Sequence, residues 1–365
     1  MLYWNQYGIS MTQYFCSHGG VYSVDPRIVR VDFSSNVNPL GISGSVLKIL
    51  RKNLPKISSI YPDNEHKNLK EKIIQYLDSG LSYDSISIGN GATEIIYNFA
   101  RAFVRKQVII PYPTFCEYEL ASRKMGAKIK HVPLKDWKLD VGSISEKTRN
   151  SDAIFLCNPN NPTGLFSYEL VEKLVDKIDS SIKILIDESF IEFVDETKRP
   201  RTFIYKINEF RNVVVLRSLT KSFGLAGLRL GYSVSHPSLE KKISHNRITW
   251  NTNGLAQLAG ITALDNLSHL RKARKIITTE RELMYTRINR NLSSFTAIKS
   301  DVNFYLIRLI HGHCSQIRDL LLEKNGILVR ECSDFKGMND KYIRVAVRNH
   351  DENLALFAAL ESVDK

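Results

Sequence analysis

Short apolar runs that alternate with amphipathic segments most strongly constrain the fold of this 365-residue chain. The segments between them, such as 69–77 and 168–178, place apolar residues at helical spacing. Strands that alternate with helices are typical of βαβ units, so the sequence predicts an α/β fold with a mostly parallel, doubly wound sheet. The predicted strands are 85–89, 107–111, 153–159, 182–188 and 212–218.

The pattern changes after about residue 255. A long basic helix is followed there by a strand, a helix, two short strands and a final helix, which predicts a smaller α+β domain. We therefore expect a large domain at 45–255 and a second unit that combines an N-terminal arm, 1–44, with the C-terminal part, 256–365. A chain of this length is long enough for about two domains with a large core.

The net charge of +13 and the isoelectric point near 9.4 leave several partners open, among them nucleic acid, a membrane surface and a small acidic ligand. The densest basic stretch, 270–292, has apolar residues at helical spacing and is interpreted as a helix with a solvated face. Sequence motifs of nucleic-acid-binding modules are absent, as are a secretory signal and an 18-residue apolar run. We expect a cytoplasmic protein without a nucleic-acid or membrane partner.

Ligands of open parallel sheets bind beyond the carboxyl ends of the strands, and the chain concentrates functional residue types there. The first predicted strand leads into Gly91-Ala92-Thr93, where a helix could begin and offer free N–H groups to a phosphate. The third leads into NPNNPTG, a rigid turn that could direct the amide of Asn161 into a site. The fourth ends in Asp187-Glu188, and at least one of these carboxylates needs a partner if it is buried. Each motif by itself also fits an ordinary turn.

The stretch SLTKSFGLAGLRLGY at 218–232 adds a single lysine, Lys221, after the fifth strand. Ser218, Thr220 and Arg229 could bind a phosphate, and nearby cations make a lysine amine easier to deprotonate. Pyridoxal 5'-phosphate requires a lysine, an acid at its ring nitrogen and a phosphate site. Lys221, Asp187 and the phosphate-binding candidates supply each of these, so we expect this cofactor.

The same ordered motifs resemble those of the fold-type I pyridoxal-phosphate enzymes, in the branch of histidinol-phosphate aminotransferase and threonine-phosphate decarboxylase. They span nearly the whole chain, from Tyr61-Pro62 through GNGATE, YPTFCEYE, NPNNPTG, DESFIEF and SLTKSFGLAGLRLGY to RVAVR. The resemblance implies that Lys221 forms the Schiff base, Asp187 binds the pyridine nitrogen, Asn161 binds the ring hydroxyl and Phe115 stacks on the ring. It also implies a homodimer in which Tyr61 reaches the phosphate of the neighbouring subunit's cofactor.

Four stretches are similar to the cobalamin-pathway decarboxylases: His18-Gly19-Gly20, DFSSNVNPLG at 32–41, FCEY at 115–118 and WNTNGLAQLAG at 250–260. Phe190 points the same way, because the aminotransferases generally carry a tyrosine there. The motif KSFGLAGLRLGY at 221–232 is closer to the corresponding motif of the aminotransferases. The resemblance thus favours decarboxylation of O-phospho-L-threonine, with histidinol-phosphate aminotransferase as the alternative and a non-catalytic nucleic-acid-binding protein as a third possibility.

A phosphorylated amino-acid substrate requires groups that bind its two anions. Arg344 resembles the carboxylate-site arginine of the superfamily, and Arg330 is a second candidate because a guanidinium can bind an anion through two hydrogen bonds. We also expect His18 and Asn38 at the substrate. A surface ion pair for Arg330 and a simple turn for His18 are the competing interpretations. The remaining candidates are Arg348, a weaker anion-binding choice, and His311, His313 and Cys314, which we interpret as a loop without a metal ion.

Overall fold

The computed structural model describes residues 17–195 and 202–364. Seven strands of the described residues form the large sheet, in the spatial order β2-β8-β7-β6-β5-β3-β4. The neighbouring pairs are parallel except those of β8, which runs antiparallel to both β2 and β7. The strands are β2 (Ile86–Gly89), β3 (Gln107–Tyr112), β4 (Lys128–Pro133), β5 (Ala153–Cys157), β6 (Lys183–Asp187), β7 (Val213–Ser218) and β8 (Gly231–Ser235).

Apolar side chains cover both faces of this sheet, as a doubly wound fold requires. Along β5, Ile154 and Leu156 enter one hydrophobic cluster while Ala153 and Phe155 enter the cluster on the opposite face. Nine helices of the described residues surround the sheet or join it to the rest of the chain. They are α1 (Gly44–Ile57), α2 (Lys67–Leu77), α3 (Gly91–Phe103), α4 (Glu117–Lys124), α5 (Val141–Glu146), α6 (Tyr168–Lys177), α7 (Leu219–Ser222), α8 (Pro237–Ser244) and α9 (Gly254–Asp265).

The five strands predicted from apolar runs are confirmed, and two further strands of the large sheet were not predicted. The edge strand β4, with sequence KIKHVP, carries lysines and a histidine instead of an apolar run. The strand β8, GYSVS, is fully buried although it contains Ser233 and Ser235. Both hydroxyls bond to buried Glu240, at 3.1 and 3.0 Å, so the hydrogen bonds that allow these serines to be buried come from α8, the helix that follows the strand.

A second, antiparallel sheet of four described strands has the order β12-β13-β10-β9. The short strand β1 pairs in parallel with β11, which attaches the segment near residue 31 to the C-terminal part of the chain. The proposed domain limits stay a prediction. The elements are β1 (Val31–Asp32), α10 (Ser268–Asn291), β9 (Phe295–Ala297), β10 (Phe304–Leu309), α11 (Cys314–Asn325), β11 (Ile327–Leu328), β12 (Arg330–Glu331), β13 (Tyr342–Ala346) and α12 (His350–Glu361).

The basic stretch at 270–292 does form a long helix, α10, but its charged residues are not all solvated. Arg274 and Arg281 are buried, and their side chains donate to the backbone oxygens of Glu192 and Val302, at 2.6 and 3.0 Å. The predicted helix is confirmed, and charged residues such as Arg271 and Lys272 are exposed, but these two arginines pack into the interior. Neither α10 nor another helix of the described residues is long and apolar enough to cross a membrane.

Buried ion pairs connect the ends of β6 and β7. Arg217 donates from Nε to Glu188 and from Nη1 to Glu192, each at 2.8 Å, and all three side chains are buried. Glu188 also accepts hydrogen bonds from the Thr202 hydroxyl and the Phe203 backbone N–H. This network provides the partner that the sequence required for one acid of the Asp187-Glu188 pair.

We expect Arg217→Met to destabilise the fold strongly, because it leaves the buried carboxylate of Glu188 without its cation, although Glu192 keeps its contact with Arg274 at 3.4 Å. Removing one partner of a buried ion pair costs about 3–5 kcal/mol. Urea denaturation followed by circular dichroism measures the change in the free energy of unfolding. Arg27→Met is the matched control, since Arg27 pairs with Asp25 on the surface and its loss should leave stability unchanged. An Arg217 variant as stable as the control would contradict the prediction.

Candidate active site

A cavity of about 280 Å³ lies at the carboxyl ends of β5, β6 and β7. The N-terminal segment and the smaller sheet complete its walls, so residues distant in sequence meet in one site. Its lining includes most of the residues singled out from the sequence. They are His18, Ala92, Thr93, Phe115, Asn161, Asp187, Phe190, Ser218, Thr220, Lys221, Arg229, Arg330 and Arg344. We call this cavity the catalytic cavity.

Lys221 lies in the short helix α7, directly after β7. Its backbone oxygen accepts a hydrogen bond from the Asn38 N–H at 2.9 Å, which fixes the lysine against the N-terminal segment. Removal of the amine from water, together with the nearby guanidinium groups of Arg344 and Arg229, lowers the pKa of Lys221 to about 8. A minority of the amine, but a far larger share than in an ordinary lysine, is therefore unprotonated and nucleophilic near neutral pH.

Asp187 ends β6 and is buried in the wall of the cavity. Its carboxylate accepts hydrogen bonds from the Tyr118 hydroxyl at 2.7 Å and the Ser189 N–H at 2.8 Å. Burial raises the pKa of Asp187, with the hydrogen bonds acting in the opposite direction. A carboxylate without a cation in this position suits a ligand that brings its own positive charge, such as a protonated pyridine nitrogen. Tyr118, which the sequence reasoning did not assign, fixes the orientation of this group.

The predicted phosphate site is assembled from the start of α3 and the region after β7. Gly91 has φ of +75°, and a Cβ there would lie 2.6 Å from Nη2 of Arg229, so only glycine lets the guanidinium approach the helix end. The hydroxyls of Ser218 and Thr220 lie 2.6 Å apart beside the same cavity. A helix N-terminus, two hydroxyls and a guanidinium form a suitable environment for a phosphate.

Asn161 and Arg344 meet at another wall of the cavity. The Arg344 guanidinium donates from Nη1 to Oδ1 of Asn161 and from Nη2 to the backbone oxygen of Ser34 at 2.9 Å. Its Nε is buried without a hydrogen-bond partner. No acidic side chain of the described residues forms an ion pair with Arg344, and burial lowers its pKa to about 10. The arrangement therefore suits an anionic ligand.

Phe115, at the cavity wall, lies at a centroid distance of 6.0 Å from the ring of His18. Glu117, two residues later, accepts from Nε2 of His18 at 3.1 Å and from the Tyr97 hydroxyl at 2.9 Å. Sequence reasoning quoted the FCEY motif but did not assign Glu117. Its signal was an acidic residue beside the aromatic residue expected to cover the cofactor.

Two predicted substrate residues are engaged with protein groups. The Asn38 amide donates to the Ser222 backbone oxygen and accepts from the Leu40 N–H, both at 2.8 Å, and Asn38 does not line the cavity. The structure thus gives Asn38 a role in holding the Lys221 segment, and its direct contact with substrate is not supported. Arg330 lines the cavity but pairs with Asp334 at 2.7 Å and donates to the Ser17 backbone oxygen.

The remaining candidates lie away from the cavity. Tyr61 is 77% exposed and stacks on Trp250 at 4.4 Å between ring centroids, so a role in catalysis would require a second subunit. Arg348 pairs with Glu352, and the His313 ring pairs with Asp340. Cys314 is buried at the start of α11, whereas His311 lies in the preceding loop.

The chain matches the family described as aminotransferase class I and II over residues 29–360. It belongs to this family. The family's cofactor, pyridoxal 5'-phosphate, fits the residues present: a lysine amine with a lowered pKa, a buried acid without a cation and a cationic phosphate site. The protein is therefore a pyridoxal-phosphate-dependent enzyme with the fold-type I architecture predicted from its sequence.

Relatives with two different activities are similarly close. The threonine-phosphate decarboxylase of Salmonella typhimurium is 32% identical, covering 97% of this chain and 98% of the relative. The histidinol-phosphate aminotransferase of Methanococcus aeolicus is 31% identical, covering 94% and 92%. A solved histidinol-phosphate aminotransferase from Sinorhizobium meliloti, in complex with pyridoxal 5'-phosphate, superposes with a TM-score of 0.86 at 20% identity, covering 98% and 99% of the two chains. This last likeness shows the fold.

We expect the rate at which cofactor-free protein takes up pyridoxal phosphate to rise with pH and to level off above about 8, the pKa of Lys221. The amine reacts only when unprotonated, and below this pKa it is mostly protonated. Stopped-flow absorbance measures the rate. Arg344→Gln should move the midpoint to higher pH by removing a nearby cation, whereas Arg348→Gln should not. A midpoint near the usual lysine value in the unmodified protein would refute the prediction.

Proposed function

We propose that this enzyme decarboxylates O-phospho-L-threonine to (R)-1-aminopropan-2-yl phosphate, a reaction of cobalamin biosynthesis. The observation that carries this proposal is the position of His18. The arm that contains the decarboxylase-like H-G-G motif lies at the catalytic cavity, and His18 lines it together with Lys221 and Asp187. An imidazole at this position could bind a phosphate ester within the cavity.

Phe190 provides independent support for the decarboxylase. Its side chain lines the cavity and packs edge-on against Phe304, with ring centroids 4.9 Å apart. A phenylalanine donates no hydrogen bond to the cofactor ring oxygen, unlike the tyrosine that the resemblance assigns to the aminotransferases. The relative from Salmonella typhimurium supports the same activity over nearly the full length of both chains.

The charges of the cavity fit a substrate that carries a carboxylate and a phosphate. Arg344 can bind one anion with its partly unsatisfied guanidinium, while His18 and Arg330 lie where they can bind another. When bound, pyridoxal phosphate supplies a ring that accepts the electron pair of the broken bond. Which bond breaks depends on which substituent of the substrate carbon is held perpendicular to that ring, so the anion-binding side chains select the reaction.

Lys221 is the proposed proton donor after carbon dioxide leaves. The bond between the α-carbon and the carboxylate breaks, and the α-carbon then needs one proton to complete the amine product. With a pKa of about 8, the Lys221 amine can gain a proton and release it again near neutral pH. The same residue can therefore act first as nucleophile and later as acid.

Histidinol-phosphate aminotransferase is the second candidate. The relative from Methanococcus aeolicus and the motif KSFGLAGLRLGY both favour it. In that reaction Lys221 would remove the α-hydrogen of the substrate, whereas in decarboxylation it would donate a proton to the α-carbon that has lost its carboxylate. Transamination would form no carbon dioxide. The two candidates therefore differ in a directly measurable product.

A homodimer with shared active sites is part of the proposal. Tyr61 and Trp250 form an exposed aromatic pair, and Ile60 and Ile248 beside them are 57% and 66% exposed. Exposed apolar residues of this size in one region favour contact with another protein surface. In a second subunit Tyr61 would reach the phosphate site formed by Thr93 and Arg229.

The deciding experiment incubates the enzyme, loaded with pyridoxal phosphate, with O-phospho-L-threonine and measures carbon dioxide. We expect release in the absence of any 2-oxo acid, and none from Lys221→Ala, which lacks the nucleophile. Formation of glutamate from histidinol phosphate and 2-oxoglutarate, without carbon dioxide from phosphothreonine, would instead establish the aminotransferase.

Shared sites predict complementation between two impaired variants. Tyr61→Ala and Lys221→Ala should each have little activity, but mixed dimers contain one site with both residues intact. After unfolding and refolding together at equal concentrations, activity should reach about a quarter of the original value, as random pairing in a two-fold symmetric dimer requires. Refolding each variant alone is the control. No gain on mixing would place Tyr61 outside its neighbour's site.

A further inference from the structure

Glu117 has no role in the chemistry described so far, although it lines the catalytic cavity. It begins α4 and is only 9% exposed. Its two carboxylate oxygens have different partners: Oε1 lies 3.1 Å from Nε2 of His18, and Oε2 accepts from the Tyr97 hydroxyl at 2.9 Å. The carboxylate is thus fixed from one side by Tyr97 and directed at the imidazole on the other.

The bond to Glu117 determines what the other ring nitrogen of His18 can do. A neutral imidazole has one N–H, and a carboxylate partner requires it on Nε2, which leaves Nδ1 as an acceptor. An acceptor repels a phosphate oxygen. The protonated ring donates from both nitrogens, so it can bond to Glu117 through Nε2 and to a phosphate through Nδ1.

We propose that Glu117 is a positioning residue that holds Nε2 of His18 and so directs Nδ1 of the ring to the substrate, and thereby sets the affinity of the enzyme for the phosphate of its substrate. This inference rests on the proposed function, in which His18 binds that phosphate. Glu117 acts through His18 and does not itself contact the phosphate, which its negative charge would repel.

The surroundings agree with a carboxylate that stays ionised. The hydrogen bond from His18 is the largest influence on Glu117 and lowers its pKa, and the Tyr97 bond acts in the same direction. Other charged groups line the two pockets that His18 borders, and cations predominate among them. They are Glu94, Arg101 and Arg229 in the open pocket shared with His18 and Glu117, and Asp187, Lys221, Arg330 and Arg344 in the catalytic cavity.

Helix α4 provides a matched control. Glu119 follows Glu117 by two residues and pairs with another histidine, His131, at 2.7 Å, but neither lines the catalytic cavity. Glu119→Gln therefore removes the same kind of carboxylate–imidazole pair from the same helix. It should alter His131 and leave substrate binding unchanged.

The first experiment observes the ring nitrogens of His18 directly, by NMR of the loaded enzyme with labelled histidine. His18→Asn assigns the resonances, and inorganic phosphate serves as the ligand probe. Glu117→Gln should shift the Nε2 resonance of His18 and reduce the change that inorganic phosphate produces at Nδ1. Glu119→Gln should shift only the resonances of His131. Unchanged His18 resonances with an unchanged response to phosphate in Glu117→Gln would overturn the proposal.

The second experiment separates binding from chemistry. For Glu117→Gln we expect KM for O-phospho-L-threonine to rise roughly tenfold near pH 7.5, the effect of losing one charge-assisted hydrogen bond, with little change in kcat. Tyr97→Phe, which keeps the carboxylate, should show a smaller effect in the same direction. A lower kcat with unchanged KM in both variants would contradict the proposal.

The two experiments distinguish this inference from the proposed function. If the enzyme does not turn over phosphothreonine but the His18 resonances still depend on Glu117 and on inorganic phosphate, the decarboxylase proposal fails and the pairing holds. If carbon dioxide is released normally while neither KM nor the His18 resonances depend on Glu117, the function holds and the inference is wrong. Thermal unfolding of each variant verifies that it is folded.

Discussion

Positive charge held out of water around Lys221 is the constraint on which the structure depends. Arg344 is buried without an ion-pair partner among the described residues, and Arg229 approaches the start of α3 only because Gly91 lacks a side chain. Such a cluster destabilises a protein by itself, because desolvated like charges repel. Burial of the amine and this cluster together lower the pKa of Lys221, and the cluster favours anionic ligands, such as the cofactor phosphate, at the site.

The charged residues beneath the site, unlike those around Lys221, are paired with opposite charges. Glu188 and Arg217 directly adjoin Asp187 and Ser218 in sequence, but their side chains form a neutralised buried network that includes Glu192. Alternation along a strand sends neighbouring residues to opposite faces, so one residue of each pair faces the ligand and the next faces the network. The ends of β6 and β7 thus place residues that face the cavity on one side and residues of the buried ion-pair network on the other.

Sequence reasoning succeeded where the structure depends on residues that are close together along the chain. The apolar runs gave five strands of the large sheet, and the residues after them gave Lys221, Asp187 and the phosphate site in one cavity. It failed where a residue's role depends on distant partners. Asn38 was expected to contact the substrate, but its amide bonds to the backbone of Ser222, 184 positions away. The contact of Glu117 with His18 joins residues 99 positions apart.

The parallel pairing of Val31 and Asp32 with Ile327 and Leu328 has a consequence for biosynthesis. During translation, β1 cannot pair with β11 until nearly three hundred further residues have left the ribosome. At typical elongation rates of about 5–20 residues per second, this interval is roughly 15 to 60 seconds. Because the same N-terminal segment holds Lys221 through Asn38, a nascent chain can bury most of its large sheet while its active site is still incomplete. Catalytic competence therefore arrives only with the last segments to be translated.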